Sequence, residues 1–422
     1  MKHKFARENS GKPVLLLAAP YFSPRYYGGA VKLFEMLVSG ISRFEPVVYA
    51  DDQEGSRDEL AAFDAEVAGV KGYRIERGPM LLPEFPGDLA LPHRVLRVAQ
   101  WGWRARQGWL GALRRVRPQI VVAGNTYNCG WLWNASRGRY LKVNYIHGEE
   151  LTQDLAYGPL SRRLKQAQLE SLRCADLNIA VSRFSADLVT ELSGASPARL
   201  QVLPNAVDVQ RFKPLPEPQR LAWRARMGWE RRSVLLTVSR LIERKAVDQV
   251  LRALACARNL PADWLFVIAG RGPQEPLLRE LVAHLGLQDR VRLLGYVGDE
   301  DLPAMYGAAD VFIQANRRVN GDTEGFGIVY LEASACGTPV IGGTDGGTAD
   351  AISEGVSGFR VDGDDVDAVR GAIERLMGDP ALRLQMATQG LNRVLDGFTA
   401  DGYVRRFEDM VMDAWQHKLA VG

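Results

Sequence analysis

The 422-residue chain is poor in cysteine and histidine and has no long apolar run. Its four cysteines, Cys129, Cys174, Cys256 and Cys336, lie 45, 82 and 80 residues apart. No CxxC pair or zinc spacing arises, so a disulfide framework and a zinc module are both disfavoured. The four read as reduced packing residues of a cytosolic protein. No apolar stretch approaches the ~20 residues that a membrane-crossing helix needs. The N-terminus is basic, but Val14 to Pro20 is a short strand-like run with Glu8 upstream, so no signal peptide is expected. No Gly-x-Gly-x-x-Gly follows the first strand, which argues against a nicotinamide dehydrogenase. Acidic residues are absent from Leu89 to His147, a stretch with ten Arg or Lys and five of the nine tryptophans.

What is present is a two-domain soluble composition. A length of 422 residues exceeds one core, and 46% hydrophobic with 24% charged residues is ordinary for a globular protein. The net charge of +3 is unevenly spread: residues 1–204 hold 27 basic and 20 acidic residues (+7), the remainder 26 and 30 (−4). The basic half suggests an anionic partner or membrane surface.

Short apolar runs alternate with longer amphipathic ones. Candidate strands are Val14–Ala19, Val47–Tyr49, Ile120–Ala123, Lys142–His147, Leu177–Val181 and Leu200–Leu203, then Val234–Ser239, Leu265–Ala269, Val291–Leu293, Val311–Gln314, Val340–Gly342 and Gly358–Val361. Helical stretches between them include Val31–Ile41, Leu160–Cys174 and Pro276–Leu285. This alternation predicts an α/β protein with two doubly wound, Rossmann-like parallel sheets facing a cleft. The expected division is 1–204, a proline-rich linker at 205–218, 219–398, and a helix within 399–422.

Functional loops should follow the strands, and the richest one does. Thr323-Glu324-Gly325-Phe326-Gly327-Ile328 opens a helical run that Gly337 and Pro339 stop. The free N–H groups of a helix start suit anionic or hydroxyl-rich ligands, and Glu324 and Glu332 can both accept hydrogen bonds from a sugar. After Val234–Ser239 come Arg240, Arg244 and Lys245, two or three cations at a strand end before a helix near Val247. Fixed positive charge there suits a pyrophosphate and stabilises the charge that develops as it leaves, without a metal. Gly270 follows the next strand, and Tyr296 and Val297 the one after. Gly28 and Gly29 open the first helix, and His147 stands at a strand end. Gly346-Gly347 lets backbone approach a ligand closely. Asp350 is expected only to support a helix, and the Asp362–Asp365 cluster to cap one rather than hold a metal.

The block Glu324, Gly325, Phe326, Gly327, Glu332, Gly337, Pro339, Val340 resembles the signature of the retaining glycosyltransferases of family four, which have the GT-B fold. The resemblance covers most of the chain in family order. It implies that Glu324 contacts the donor sugar, Glu332 the ribose, Arg240 and Lys245 the phosphates, and backbone near Gly270, Tyr296 and Val297 the base. It also implies that Gly28 and Gly29 approach the phosphate, that His147 lies near the reacting carbon, and that Gly325, Phe326, Gly327 and Ile328 border the donor. Ala246 departs from the family's glycine, and the loop Gln314–Thr323 is longer than usual, resembling bacterial mannosyltransferases of glycolipid or polysaccharide synthesis. Arg317 or Arg318 in that loop either reaches the phosphates or faces solvent. The expected donor is GDP-mannose or a UDP-sugar, with no metal required. The expected acceptor is a lipid-linked saccharide, glycolipid or polysaccharide precursor.

Arg94, Arg97, Arg104, Arg106, Arg114, Arg115 and Arg117, with Trp101, Trp103 and Trp109, have the composition of an interfacial amphipathic helix; Trp131 and Trp133 follow. The expected place is the inner face of the cytoplasmic membrane, by peripheral docking. No nucleic-acid motif accompanies the patch. The alternatives are a nucleotide-sugar epimerase of the same architecture and a non-catalytic glycan- or membrane-binding module.

Overall fold

The computed structural model describes residues 11–22, 28–52, 55–81, 91–127, 129–130, 140–152 and 159–421. Tyr26, Tyr27, Trp131 and Trp133 lie outside them. The first lobe holds β1 (Val14–Ala18), β2 (Glu45–Ala50), β3 (Arg74–Arg77), β4 (Ile120–Ala123), β5 (Leu141–Ile146), β6 (Leu177–Ala180) and β7 (Leu200–Val202). The second holds β8 (Ser233–Val238), β9 (Trp264–Ala269), β10 (Val291–Gly295), β11 (Val311–Gln314), β12 (Val340–Gly343) and β13 (Gly358–Val361). The sheet orders are β3-β2-β1-β4-β5-β6-β7 and β10-β9-β8-β11-β12-β13. Every pairing is parallel.

The central strands are buried on both faces, which explains their unbroken apolar runs: Leu15 to Ala18, Ile120 to Ala123 and Leu265 to Ala269 are all 0–1% exposed. The first sheet has seven strands rather than the six read from the sequence. The extra one, β3, is an edge strand of sequence Arg-Ile-Glu-Arg, whose charges keep the edge from pairing further and hide it from a hydrophobicity scan. In each sheet the order reverses beside the first strand, between β1 and β4 and between β8 and β11. Ligand crevices in such sheets form at those points, at the carboxyl ends of the strands.

Seven helices bear on the site: α1 (Gly29–Gly40), α2 (Leu91–Val116), α3 (Pro159–Cys174), α4 (Arg183–Ser193), α5 (Val247–Cys256), α6 (Ile328–Ala335) and α7 (Ala400–Val421). Helix α7 follows the second lobe but seats on the first. Tyr403 Oη donates to Tyr145 Oη at 2.7 Å, Glu408 Oε1 accepts from the Ser42 and Arg43 amides at 2.7 and 2.6 Å, and Lys418 pairs with Asp176 at 2.5 Å. Near the other crossover, the Val207 amide donates to the Phe398 carbonyl at 2.9 Å, so the two connecting chains run side by side.

Candidate active site

The loop where the sequence predicts phosphate contacts lies between β8 and α5. A short 3-10 turn, Glu243–Lys245, ends at Ala246, which is buried with φ 51° and ψ 34°. A left-handed alanine carries strain of about 1–2 kcal/mol. Ala246→Gly relieves that strain while losing a buried methyl and adding unfolded-chain entropy. We expect it to change unfolding free energy by under about 0.5 kcal/mol, whereas Ala253→Gly inside α5 should cost about 1 kcal/mol or more in the same denaturant titration.

The loop, from Arg240 to Lys245, presents three cations in different states. Arg240 is exposed and makes no ion pair among the described residues, yet its charge is felt at Lys245. Lys245 Nζ lies 2.6 Å from Glu324 Oε2. Arg244, 4% exposed, donates to the same oxygen at 2.9 Å, and Gln314 Nε2 lies 3.2 Å from it. All three donors therefore converge on Oε2, leaving Oε1 with none among the described residues. Burial alone would raise the Glu324 carboxyl, but Lys245 and Arg244 outweigh it and hold the group down at about 2, so it is ionised throughout the working range. The same burial pushes the Lys245 ammonium down, against the pull of Glu324.

Gly327, at φ 85°, turns the chain into α6. Five residues in, Glu332 is 8% exposed, and Tyr306 Oη donates to its Oε2 at 2.9 Å. Burial raises its carboxyl; the hydrogen bond and the charges of Lys32 and Arg211 work against that. Glu324 and Glu332 thus sit in separate cation settings, one built on the loop after β8, the other on α1 and the linker. Phe326 is buried in the core.

The first lobe closes directly onto this block. A Cβ on Gly29 would stand 3.2 Å from Ile328 Cγ2, so the N-termini of α1 and α6 meet across the cleft. Two helix starts converging in this way form a ready site for a diphosphate. A Cβ on Gly325 would stand 1.9 Å from the His147 carbonyl oxygen, so only glycine allows that approach. Ser182 Oγ donates to the Gly325 carbonyl at 2.8 Å. Lys32 pairs with Asp299 at 2.6 Å.

His147 directly follows β5, with its ring 5.3 Å from Phe34 and 5.2 Å from Tyr145 between centroids. Burial lowers its pKa to about 4, against a bond to the Gly124 carbonyl, so the imidazole is neutral near pH 7. Its Nε2 is buried without a hydrogen-bond partner. The His147 amide donates to Glu150 Oε1 at 3.0 Å, and Glu150 is 5% exposed. Burial pushes this carboxyl up to about 7, against the backbone amides it accepts from.

The signs of the two shifts oppose. The folded state holds more protons on Glu150 than the unfolded chain between about pH 4.5 and 7, so this group's stability is lost as pH rises through that window. His147 binds fewer protons folded, so its stability is gained as pH rises from about 4 to 6.5. Glu150→Gln keeps the acceptor and removes the first effect. Relative to the parent, it should gain stability on the order of 2–3 kcal/mol between pH 5 and 8, read by unfolding at both.

The outer loops depart from expectation in several places. Gly346-Gly347 approaches the protein rather than leaving room for a ligand: a Cβ on Gly346 would lie 2.0 Å from the Glu324 carbonyl oxygen, and the Gly347 amide donates to that oxygen at 2.7 Å. Asp350 does more than support a helix. It accepts from the Arg183 amide at 2.7 Å and from Arg183 Nε at 2.8 Å, pinning α4 of the first lobe. Of the two loop arginines, Arg317 is held by Glu243, Asp248 and Asp364, and Arg318 pairs with Asp345 while facing solvent, one of the two expected outcomes. Asp365 caps a helix through the amides of Asp367 and Ala368, as expected. Tyr296 is 58% exposed beside the half-buried Val297, and the Gly270 amide donates to the Gly295 carbonyl. Gly28 has no atom within 4 Å of a Cβ position.

Comparison with known proteins agrees with this geometry. Residues 27–211 match the model for Glycosyltransferase Family 4, and residues 219–393 that for Glycosyl transferases group 1. The chain is 33% identical over 395 residues to a GDP-mannose-dependent alpha-(1-6)-phosphatidylinositol monomannoside mannosyltransferase of Mycolicibacterium smegmatis, covering 91% of this chain and 94% of the relative. The chain belongs to glycosyltransferase family 4. A second member, a D-inositol 3-phosphate glycosyltransferase of Nocardia farcinica, is 31% identical over 88% of this chain and 75% of its own. The fold is shared with Anabaena HepE in complex with UDP, at TM-score 0.74 and 18% identity over 95% of this chain and all of that one. This glycosyltransferase therefore has the GT-B architecture, two parallel-sheet lobes around a cleft.

The family 4 motifs located Glu324, Glu332 and Lys245 but missed the other groups on the two carboxylates. Arg244 was visible only as one of several cations, and Gln314 on Glu324 and Tyr306 on Glu332 carried no signal. The Asn320-Gly321 pair did carry one. Its positive φ values of 49° and 82°, with reciprocal Val319 and Asp322 backbone bonds, make a tight two-residue hairpin.

Proposed function

We propose that this glycosyltransferase moves mannose, with retention, from GDP-mannose to a hydroxyl of a phosphatidylinositol-type glycolipid. The observation that carries the reading is Glu324 and Lys245 facing the His147 turn where two helix N-termini meet. The relatives' names supply the donor and acceptor class.

In this reading Arg240, Lys245 and the helix starts hold the diphosphate, Glu332 the ribose, and the backbone around Gly270, Tyr296 and Val297 the base. Glu324 and neutral His147 hold the sugar. The bond from C1 to the phosphate oxygen breaks, the acceptor oxygen bonds C1 on the same face, and its proton passes to the leaving phosphate. No protein nucleophile is needed. Protein cations supply the charge that a divalent metal would, so chelator should leave transfer intact. Residues 1–204 take the acceptor and 219–398 the donor.

The membrane part of the reading narrows to one face of α2. Trp101 and Trp109 are core residues, 9% and 0% exposed, and Arg115 pairs with Glu76. Val95, Leu96 and Trp103 are 61%, 56% and 65% exposed, with Arg97, Arg104, Arg106 and Arg114 exposed around them. The Arg94 side chain lies outside those described. No helix among the described residues is long and apolar enough to cross a membrane. We propose that this exposed apolar and basic face docks peripherally on the inner face of the cytoplasmic membrane. Trp103→Ala with Arg104→Gln and Arg106→Gln should weaken binding to anionic liposomes at least tenfold in a flotation assay, since each lost cation forfeits ~1 kcal/mol. Unchanged binding removes this face from the account.

Thermal-shift titration against nucleotide sugars tests the donor: a ligand at a hundred times Kd adds ~2.7 kcal/mol of stability. GDP-mannose should stabilise most; a larger shift with a UDP-sugar contradicts the proposed donor.

A further inference from the structure

Arg244 holds a position that the phosphate-binding role proposed for its neighbours does not explain. It is 4% exposed and faces carboxylates rather than open cleft. Its Nη1 lies 2.9 Å from Glu324 Oε2, its Nε 3.1 Å from Asp322 Oδ2, and its Nη2 4.0 Å from Glu149 Oε2 of the first lobe. The guanidinium thus spans both ends of Asp322-Thr323-Glu324. Its backbone carbonyl also takes the Arg317 amide at 2.9 Å, tying down the start of the same long loop.

The spanned segment abuts the first lobe at both sides. Just before it, the tip of the Val319–Asp322 hairpin reaches Thr152: a Cβ on Gly321 would lie 2.8 Å from the Thr152 carbonyl oxygen. Just after it, Gly325 touches the His147 carbonyl. The residues met, His147 to Thr152, form one turn of the first lobe at the end of β5. Asp322 Oδ1 and Thr323 Oγ1 are buried without hydrogen-bond partners, so Arg244 is the one side chain that joins Asp322 to Glu324, which Lys245 and Gln314 also hold.

We propose that Arg244 is a positioning residue for transfer: its fork clamps Asp322 and Glu324 so that the sugar-binding carboxylate and the His147 turn assemble as one unit across the cleft. Lysine cannot replace it. A single ammonium keeps the charge but cannot hold two carboxylates in a fixed plane. The clamp rests on the transfer reading above for its role, but not for its existence.

The test uses the full-length protein. In Arg244→Lys, kcat should fall 30- to 100-fold, with the donor KM within threefold of the parent and the unfolding temperature within a few degrees. Asp322→Asn should lower kcat about tenfold, and Arg244→Lys with Asp322→Asn should be no worse than Arg244→Lys alone, because the two act as a unit. Hydrogen exchange without any donor should quicken at least fivefold at the amides of residues 147–150 and 323–326 in Arg244→Lys. Parent-like kcat in Arg244→Lys overturns the proposal, as does a large KM rise at unchanged kcat, which makes Arg244 a donor-binding group. If the parent transfers no sugar from any nucleotide sugar, the transfer reading fails on its own. The exchange result then decides the clamp alone: faster exchange upholds it and unchanged exchange overturns it.

Discussion

Lys245→Ala should lower kcat/KM for the nucleotide sugar by a hundredfold to a thousandfold. In the proposed mechanism Lys245 supports the leaving phosphate, and removing one such preorganised donor costs ~2.7–4 kcal/mol in the transition state. The substitution also strips Glu324 of its nearest partner, at 2.6 Å. Arg244 and Gln314 remain on the same oxygen, so the carboxylate stays ionised and the protein should still fold. Arg240→Ala should cost less, about ten- to a hundredfold, because that side chain is exposed and holds no ion pair among the described residues. Its loss equals one charge-assisted hydrogen bond of ~1.5–3 kcal/mol. Steady-state rates at fixed acceptor check both; near-parent activity in both variants sinks the phosphate assignment.

Glu324→Gln should be as damaging for a different reason. It leaves buried Lys245 beside a neutral amide with no carboxylate of its own, and Arg244 with only Asp322 and the more distant Glu149. The lost acceptor also faces the sugar in the proposed complex. We expect kcat to fall at least a hundredfold and the unfolding free energy to drop by about 3–5 kcal/mol, the usual cost of stranding a buried charge. Combining it with Lys245→Ala should restore part of the stability, since the stranded charge falls by one, while adding little to the kinetic loss. Additive kinetic losses would contradict a joint role. Activity should show no acid limb from Glu324 above about pH 4, because its carboxyl is held at about 2.

The sequence told most where burial is two-sided and least where contact crosses the cleft. All six strands of the second sheet were legible: β8, β9 and β11 as apolar runs buried on both faces, and β10, β12 and β13 as shorter apolar stretches between helical ones. β3 was not, because an edge strand needs only one apolar residue, Ile75. The signature block placed Glu324 and Glu332 on a loop and a helix start, where the structure has them. Asp350 was misjudged because its partner, Arg183, is 167 positions away on the other lobe, and no local pattern encodes that distance. The buried tryptophans were readable after all. Trp101, Ala105, Trp109, Ala112 and Val116 repeat at helical spacing and are all buried, a core stripe that composition alone concealed.

The central claim is retaining transfer of mannose from the site around Glu324 and Lys245. Its most direct test is product analysis after incubation with GDP-mannose and a phosphatidylinositol mannoside acceptor in anionic vesicles. The account predicts GDP released in equal amount with an α-linked mannosyl lipid, by NMR of the new anomeric proton. A β-linked product, or an isomerised nucleotide sugar formed without any transfer to the acceptor, would contradict it.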